Sequence, residues 1–223
     1  MQFDPNKIRY QFTGCETITD NWSQSGQDIF VLSMLDGKRN GTYLEIGSAE
    51  PEFLSNTCLL ERKFDWKGAG VELNIELVGE YNAVRQNKCQ VGDATTVDYH
   101  ELLKNLAGIE ERTLDYLSCD CEPAEQTYAA LQNVMRQGFK FAVITFEHDT
   151  YTNHNSIIKG ESRDFLRSLG YVLVASNISA LGENYDYEDW WVHPDLVDAE
   201  IIEIFKNDDY TIKDWSKYIY PVA

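Results

Sequence analysis

The chain has 223 residues, 43% of them hydrophobic, and a formal net charge of −18 from 19 basic and 37 acidic residues. That length and apolar share suffice to bury one full core, and a single domain across 1–223 is expected. A surface this acidic repels polyanions, which argues against nucleic acid and anionic membranes as main partners, and no apolar run approaches the roughly 20 residues of a membrane span.

The polar N-terminus does not resemble a signal peptide, so a soluble, cytoplasmic protein is the expectation. Five cysteines, at 15, 58, 89, 119 and 121, are odd in number and lack zinc-ribbon spacing. They read as buried, reduced thiols, with Cys119 and Cys121 flanking Asp120 and pointing to one face of a strand.

Short apolar runs alternate with helical patterns along the chain. Ile29, Leu32 and Leu35 predict a helix over Gln27–Leu35, within an N-terminal helical segment, 1–40. The core, 41–195, begins with a strand at Thr42–Ile46, a tight turn at Gly47 and a helix running through about Arg62. A second strand, Gly68–Glu72, precedes a helix with Leu77, Tyr81 and Val84 on one face. A strand at Lys88–Val91, the turn Gly92-Asp93-Ala94 and a helix over Tyr99–Leu106 follow.

The fourth strand is predicted at Leu114–Cys121. The helix after it places Ala124, Tyr128, Leu131 and Met135 on one face and is capped by Gly138. Then come a strand at Phe139–Phe146, a helix at Ser162–Leu169 stopped by Gly170, and strands at Tyr171–Ser176 and Trp190–Val192. The C-terminal segment, 196–223, holds a helix over Leu196–Phe205 and an aromatic tail from Trp215 to Tyr220. That tail suits packing on its own sheet or on a second copy in a homo-oligomer. Strands alternating with helices predict an α/β, doubly wound sheet of about seven strands.

Ligands of such sheets sit at the carboxyl ends of the strands. The residues there are Glu45, Gly47 and Ser48; Glu72, Leu73 and Asn74; Asp93 and Ala94; Asp120 and Glu122; and Glu147, His148 and Asp149. Glu72, 25 residues beyond Gly47, stands where an acid accepts hydrogen bonds from both hydroxyls of an adenosine ribose, and Asn74 is free to cap the following helix.

A pyrophosphate binder needs further glycines after Gly47. This chain has Ala49 instead, with Glu45, Glu50 and Glu52 around the turn. Those acids oppose an anion and suit a phosphate-free, positively charged adenosyl compound. S-adenosylmethionine fits that description; NAD, FAD and ATP do not.

Ser23–Asp28, Tyr43–Gly47, Gly70–Asn74, Gly92–Thr95, Leu117-Ser-Cys-Asp-Cys-Glu-Pro-Ala-Glu125 and Glu188–Val192 together resemble the FkbM family of S-adenosylmethionine-dependent methyltransferases, over residues 22–195. The resemblance implies a class I, Rossmann-like methyltransferase fold, mostly parallel with an antiparallel last strand. It also implies O-methylation of a sugar or other small hydroxylated acceptor. Carried onto this chain, Glu45, Gly47 and Ser48 would lie beneath the methionine part, with Glu72 and Leu73 at the ribose. Asp93 and Ala94 would border the adenine, Asp120 would close the site, and Gln24 and Gln27 would fold over the amino-acid end. Pro123 replaces the glycine usual in the family, a departure that bears on the substrate loop.

Methyl transfer needs an aligned acceptor and a group to take its proton. The candidates are Asp120, Glu122, Glu147, His148 and Asp149, and His148 is the leading base on its ordinary pKa. Alternatively, Asp120, Glu147 and His148 hold Mg²⁺ or Mn²⁺ to acidify the acceptor hydroxyl. Of Trp190 and Trp191, one is offered to the core and one to an acceptor face; His154 and His193 read as loop residues. The competing readings are a nicotinamide-dependent oxidoreductase and a non-catalytic S-adenosylmethionine-binding module.

Overall fold

A computed structural model of the chain describes residues 3–151, 157–180, 183, 185–206 and 214–220. In chain order the elements are α1 (Gln27–Met34), β1 (Thr42–Ile46), α2 (Cys58–Phe64), β2 (Lys67–Glu72), α3 (Ile75–Val84), β3 (Lys88–Val91), α4 (Tyr99–Ala107) and β4 (Thr113–Cys119). They continue with α5 (Ala124–Arg136), β5 (Lys140–Glu147), α6 (Ile158–Ser168), β6 (Val172–Ile178), β7 (Glu188–Val192), α7 (Ala199–Phe205) and α8 (Ser216–Ile219).

The seven strands form one sheet in the order β3-β2-β1-β4-β5-β7-β6. β1 to β5 run parallel, and β7 lies antiparallel between β5 and β6. Order reverses between β1 and β4, so a crevice opens above their carboxyl ends.

Strand period decides which core each residue joins. Tyr43, Tyr116, Val143 and Trp190 face α1, α2, α7 and α8, while Leu44, Leu117, Ile144 and Trp191 face α4, α5 and α6. The two tryptophans are therefore split between opposite cores. Both are wholly buried, and neither offers a ring to an acceptor. Trp190 stacks on Phe30 at 4.5 Å and lies 6.0 Å from Tyr218. The aromatic tail packs on its own chain: Trp215, Tyr218 and Ile219 belong to the α1 core.

Three local readings change. The turn after Gly47 does not pass straight into a helix, because α2 starts only at Cys58; Thr57, at its N-cap, gives its hydroxyl to Glu45 rather than to the helix. The buried stripe of α3 is Val78 and Tyr81, continued by Arg85, while Val84 is 46% exposed. β4 ends at Cys119, so Cys121 lies beyond the ladder, half-buried, with its backbone bonded to Thr127 of α5. Among the described residues no helix is long and apolar enough to cross a membrane.

Candidate active site

The turn after β1 is built around Gly47. Its N–H donates to Val71 O at 2.9 Å, its φ is +78°, and a Cβ there would stand 1.6 Å from Asp120 O. Only glycine fits, because the β4 loop lies directly against it: Asp120 N–H donates to Ile46 O at 3.0 Å. Beside this turn a cleft of 680 Å³ extends over the ends of β1 to β4, lined by Gly47, Ala49, Glu72, Leu73, Asp93, Ala94, Asp120 and Glu122 among others. A smaller cavity of 220 Å³ shares Gly47, Ala49 and Asp120 and adds Gln24, Glu45, Ser48, Glu50, Asn56 and Ser118.

Glu72 is fixed at the tip of β2. Its Oε2 accepts from Ala49 N–H at 3.2 Å and its Oε1 from Asn74 N–H at 2.8 Å. Asn74 caps α3 with its own side chain, accepting from Glu76 N–H at 2.9 Å, which leaves Glu72 free of that task. Leu73 is 74% exposed at the lip. Asp93 accepts from the Thr95 hydroxyl at 2.7 Å and the Thr95 N–H at 2.9 Å, and these bonds hold its carboxyl below the usual range.

The charge around the cleft differs from the expected fringe. Glu52 turns away to pair with Arg62, and Glu45 is buried, bonded by Thr57 Oγ1 at 2.9 Å and Tyr81 OH at 3.1 Å. Burial pushes Glu45 up to about 6, against the pull of nearby Arg85. The acids on the cleft wall are instead Glu72, Asp93, Asp120 and Glu122, and no Lys or Arg lines either cavity among the described residues.

Asp120 and Glu147 are hydrogen-bonded to one another. Burial raises Asp120 to about 6 although its bond to Glu147 opposes the rise; burial and then the charge of Asp120 hold Glu147 well above the carboxylate range. Two carboxyls this close share a proton. Tyr151 OH donates towards Glu147 Oε1 at 3.5 Å.

His148 is not brought to the cleft. Its ring is wholly buried, with Nε2 3.7 Å from Asp189 Oδ1. Asp189 also receives Arg163 Nε at 2.7 Å and Nη2 at 2.8 Å; burial opposes its charge, but those bonds keep it well below the usual range. The reason is register: His148 follows Glu147 directly, so alternation turns it away from the face that Glu147 presents. Asp120, Glu147 and His148 therefore do not converge as a cation site, and among the described residues no three His, Cys, Asp or Glu side chains cluster to hold a metal.

Of the N-terminal pair, Gln24 borders the smaller cavity, but Gln27 is buried, accepting from Ser25 N–H at 2.8 Å and donating to Tyr187 OH at 3.2 Å. His193 packs edge-on to Tyr171, away from the cleft, and His154 lies outside the described residues. Sequence reasoning missed Asn56 and Ser118 on the cavity wall, and Arg85 behind it. Arg85 had a legible signal: it continues the buried α3 stripe four residues after Tyr81.

Among solved structures the chain is similar to the METTL16 MTase domain in two crystals. One matches at 12% identity over 80% of this chain and 71% of that one, with a TM-score of 0.53. The other matches at 13% identity over 74% and 66%, with a TM-score of 0.51. The fold is that of the class I, Rossmann-like methyltransferases. Aeropyrum pernix fibrillarin, in complex with natively bound S-adenosyl-L-methionine, matches at 16% identity over 70% of this chain and 67% of its own, with a TM-score of 0.46. No family model matches the sequence, and no curated protein aligns with it significantly.

Proposed function

We propose that the protein is an S-adenosylmethionine-dependent methyltransferase of the FkbM kind, acting on a hydroxyl of a sugar or other small acceptor rather than on nucleic acid or a membrane. The observation that carries this reading is Glu72. Its carboxylate is held by two backbone N–H groups at the lip of a cleft that no cationic side chain lines. Each oxygen keeps a lone pair for a ribose hydroxyl, the charge-assisted kind of bond. A pyrophosphate would find neither a helix N-terminus at the Gly47 turn nor a cation to meet it.

Exposed Leu73 supplies an apolar surface for the adenine, with Ala94 at its far edge. When bound, the cofactor supplies an electrophilic methyl group on sulfur. The chain's part is to align the acceptor oxygen, exclude water and receive the proton. Asp120 suits the last role. It lines both cavities, and with the shared proton resting on Glu147 its own carboxylate is free to accept another. Asp120 would be the group that receives the proton of the acceptor hydroxyl.

Calorimetry with S-adenosylmethionine, S-adenosylhomocysteine and NADH tests the reading, followed by an acceptor screen over sugars. The adenosyl compounds are expected to bind, and Glu72→Gln to weaken them about tenfold by replacing charge-assisted bonds with neutral ones. Binding of NADH in their place would favour the oxidoreductase; cofactor binding without turnover would favour a binding module.

A further inference from the structure

Asn56 belongs to the loop between Gly47 and α2, and both of its neighbours are fastened to the interior. Ser55 Oγ accepts from Arg85 Nη1 at 3.1 Å and from the Cys58 N–H at 3.2 Å. Thr57 Oγ1 accepts from Arg85 Nη2 at 3.0 Å and donates to Glu45 Oε1 at 2.9 Å. One residue earlier than Ser55, Leu54 bridges to Ser23 of the N-terminal segment. The loop is thus held on both sides, and the Asn56 carboxamide borders the 220 Å³ cavity.

There Asn56 Nδ2 donates to Ser118 Oγ at 3.0 Å, while Oδ1 has no partner although the residue is only 8% exposed. Among the described residues lining the two cavities, it is the one buried side-chain polar atom left unsatisfied. Native proteins keep few such atoms, because a buried amide oxygen without a donor is costly. The surroundings select the donor. Glu50 and Asp120 share the cavity wall with Asn56, and among the described residues no Lys or Arg does, so a cation is favoured there and an anion is not. Across the Gly47 turn lies the cleft that ends at Glu72.

We propose that Asn56 Oδ1 accepts a hydrogen bond from the α-ammonium of the cofactor's amino-acid end, and so makes the site select adenosyl compounds that carry that end over those that lack it. The assignment rests on the methyltransferase reading. It adds a recognition residue in the long loop to the contacts at the strand tips, and it explains why that loop is pinned so firmly on either side of one buried amide at the cavity wall.

The test is calorimetry on the full chain with S-adenosylhomocysteine and with 5′-methylthioadenosine, which has the same adenosine but no amino-acid end. Asn56→Ala is expected to weaken S-adenosylhomocysteine about tenfold or more, the worth of a hydrogen bond to a charged group, and to leave 5′-methylthioadenosine within about twofold of the parent. Asn56→Asp keeps an acceptor and should hold the parent's preference between the two ligands. Because each variant is judged by the ratio of two ligands, general damage to the fold cancels; should Asn56→Ala not fold, the Asn56→Asp ratio decides alone. Equal losses for both ligands, or no loss for either, overturn the assignment. So does an Asn56→Asp protein that loses the preference, since the amide nitrogen would then be the atom facing the ligand. A parent protein that binds neither compound brings down the methyltransferase reading itself, which is a different outcome.

Discussion

Replacing Arg85 with methionine should destabilise the protein severely, because it keeps the aliphatic stem and removes a wholly buried guanidinium. Arg85 Nε donates to Glu61 Oε2 at 3.0 Å, Nη1 to Pro51 O at 2.9 Å and Ser55 Oγ at 3.1 Å, and Nη2 to Thr57 Oγ1 at 3.0 Å and Tyr43 OH at 3.4 Å. The side chains of Arg85 and Glu61 are 0% and 5% exposed, and Glu45 is close enough to feel the same charge. Removing the cation leaves two buried carboxylates without compensation, a loss of about 3–5 kcal/mol. For a domain of this size that lowers Tm by roughly 10 °C.

Urea unfolding followed by circular dichroism, at pH 7 and at pH 4, measures it. Burial holds Glu45 up at about 6, so at pH 4 its carboxyl is neutral with or without the cation, and the deficit should shrink. Adding Glu61→Gln to Arg85→Met should recover at least about 1.5 kcal/mol, because one of the stranded charges is gone. A loss under about 1 kcal/mol refutes the reasoning. A deficit that neither pH nor Glu61→Gln alters does so equally.

Gly47→Ala puts a methyl group into the Asp120 carbonyl at a left-handed φ of +78°, and should both lower Tm and abolish cofactor binding; a variant with parental binding would show that the two loops separate easily. Glu188 is buried at the start of β7, its carboxylate accepting from Trp190 Nε1, and burial raises it to about 8. The folded chain therefore keeps a proton that the unfolded chain loses above about 4.5, so this group subtracts stability as pH rises from about 4.5 to 8. Glu188→Gln should be near neutral at pH 4.5 and stabilising by about 1 kcal/mol or more at pH 8; an offset equal at both values would contradict the assignment. If Asp120 takes the acceptor's proton, kcat should fall about tenfold per pH unit below its value near 6, and Asp120→Asn should remove most turnover while leaving S-adenosylhomocysteine bound. Full turnover by that variant would exclude the role.

The sheet was readable because its signals are local. Val71 and Ile46 sit in apolar runs of strand length, and Gly47, Gly138 and Gly170 mark stops at φ values of +78°, +84° and +89° that other residues adopt at a cost. Glu72 was legible for a related reason: a strand tip has one position in a βαβ unit, and Asn74 supplies the competing cap within two residues. The start of α2 was not legible, because Thr57 caps nothing; its hydroxyl belongs to Glu45, twelve residues away in sequence and adjacent only in space.

By itself, the sequence determined the elements, the two faces of each strand and the acids at the strand ends, all of which follow from periods of 2 and 3.6 and from backbone limits on single residues. Tertiary structure alone decided which of those acids reach the cleft. Glu52 goes to Arg62, Glu45 goes into the Arg85 network, and Asp120 is drawn against Glu147, while His148 is turned to Asp189 and Asn56 is bonded to Ser118 at the cavity wall. A side chain's charge state and direction depend on what is packed against it, and in each of those cases but Glu52 the deciding partner lies more than twenty residues distant along the chain.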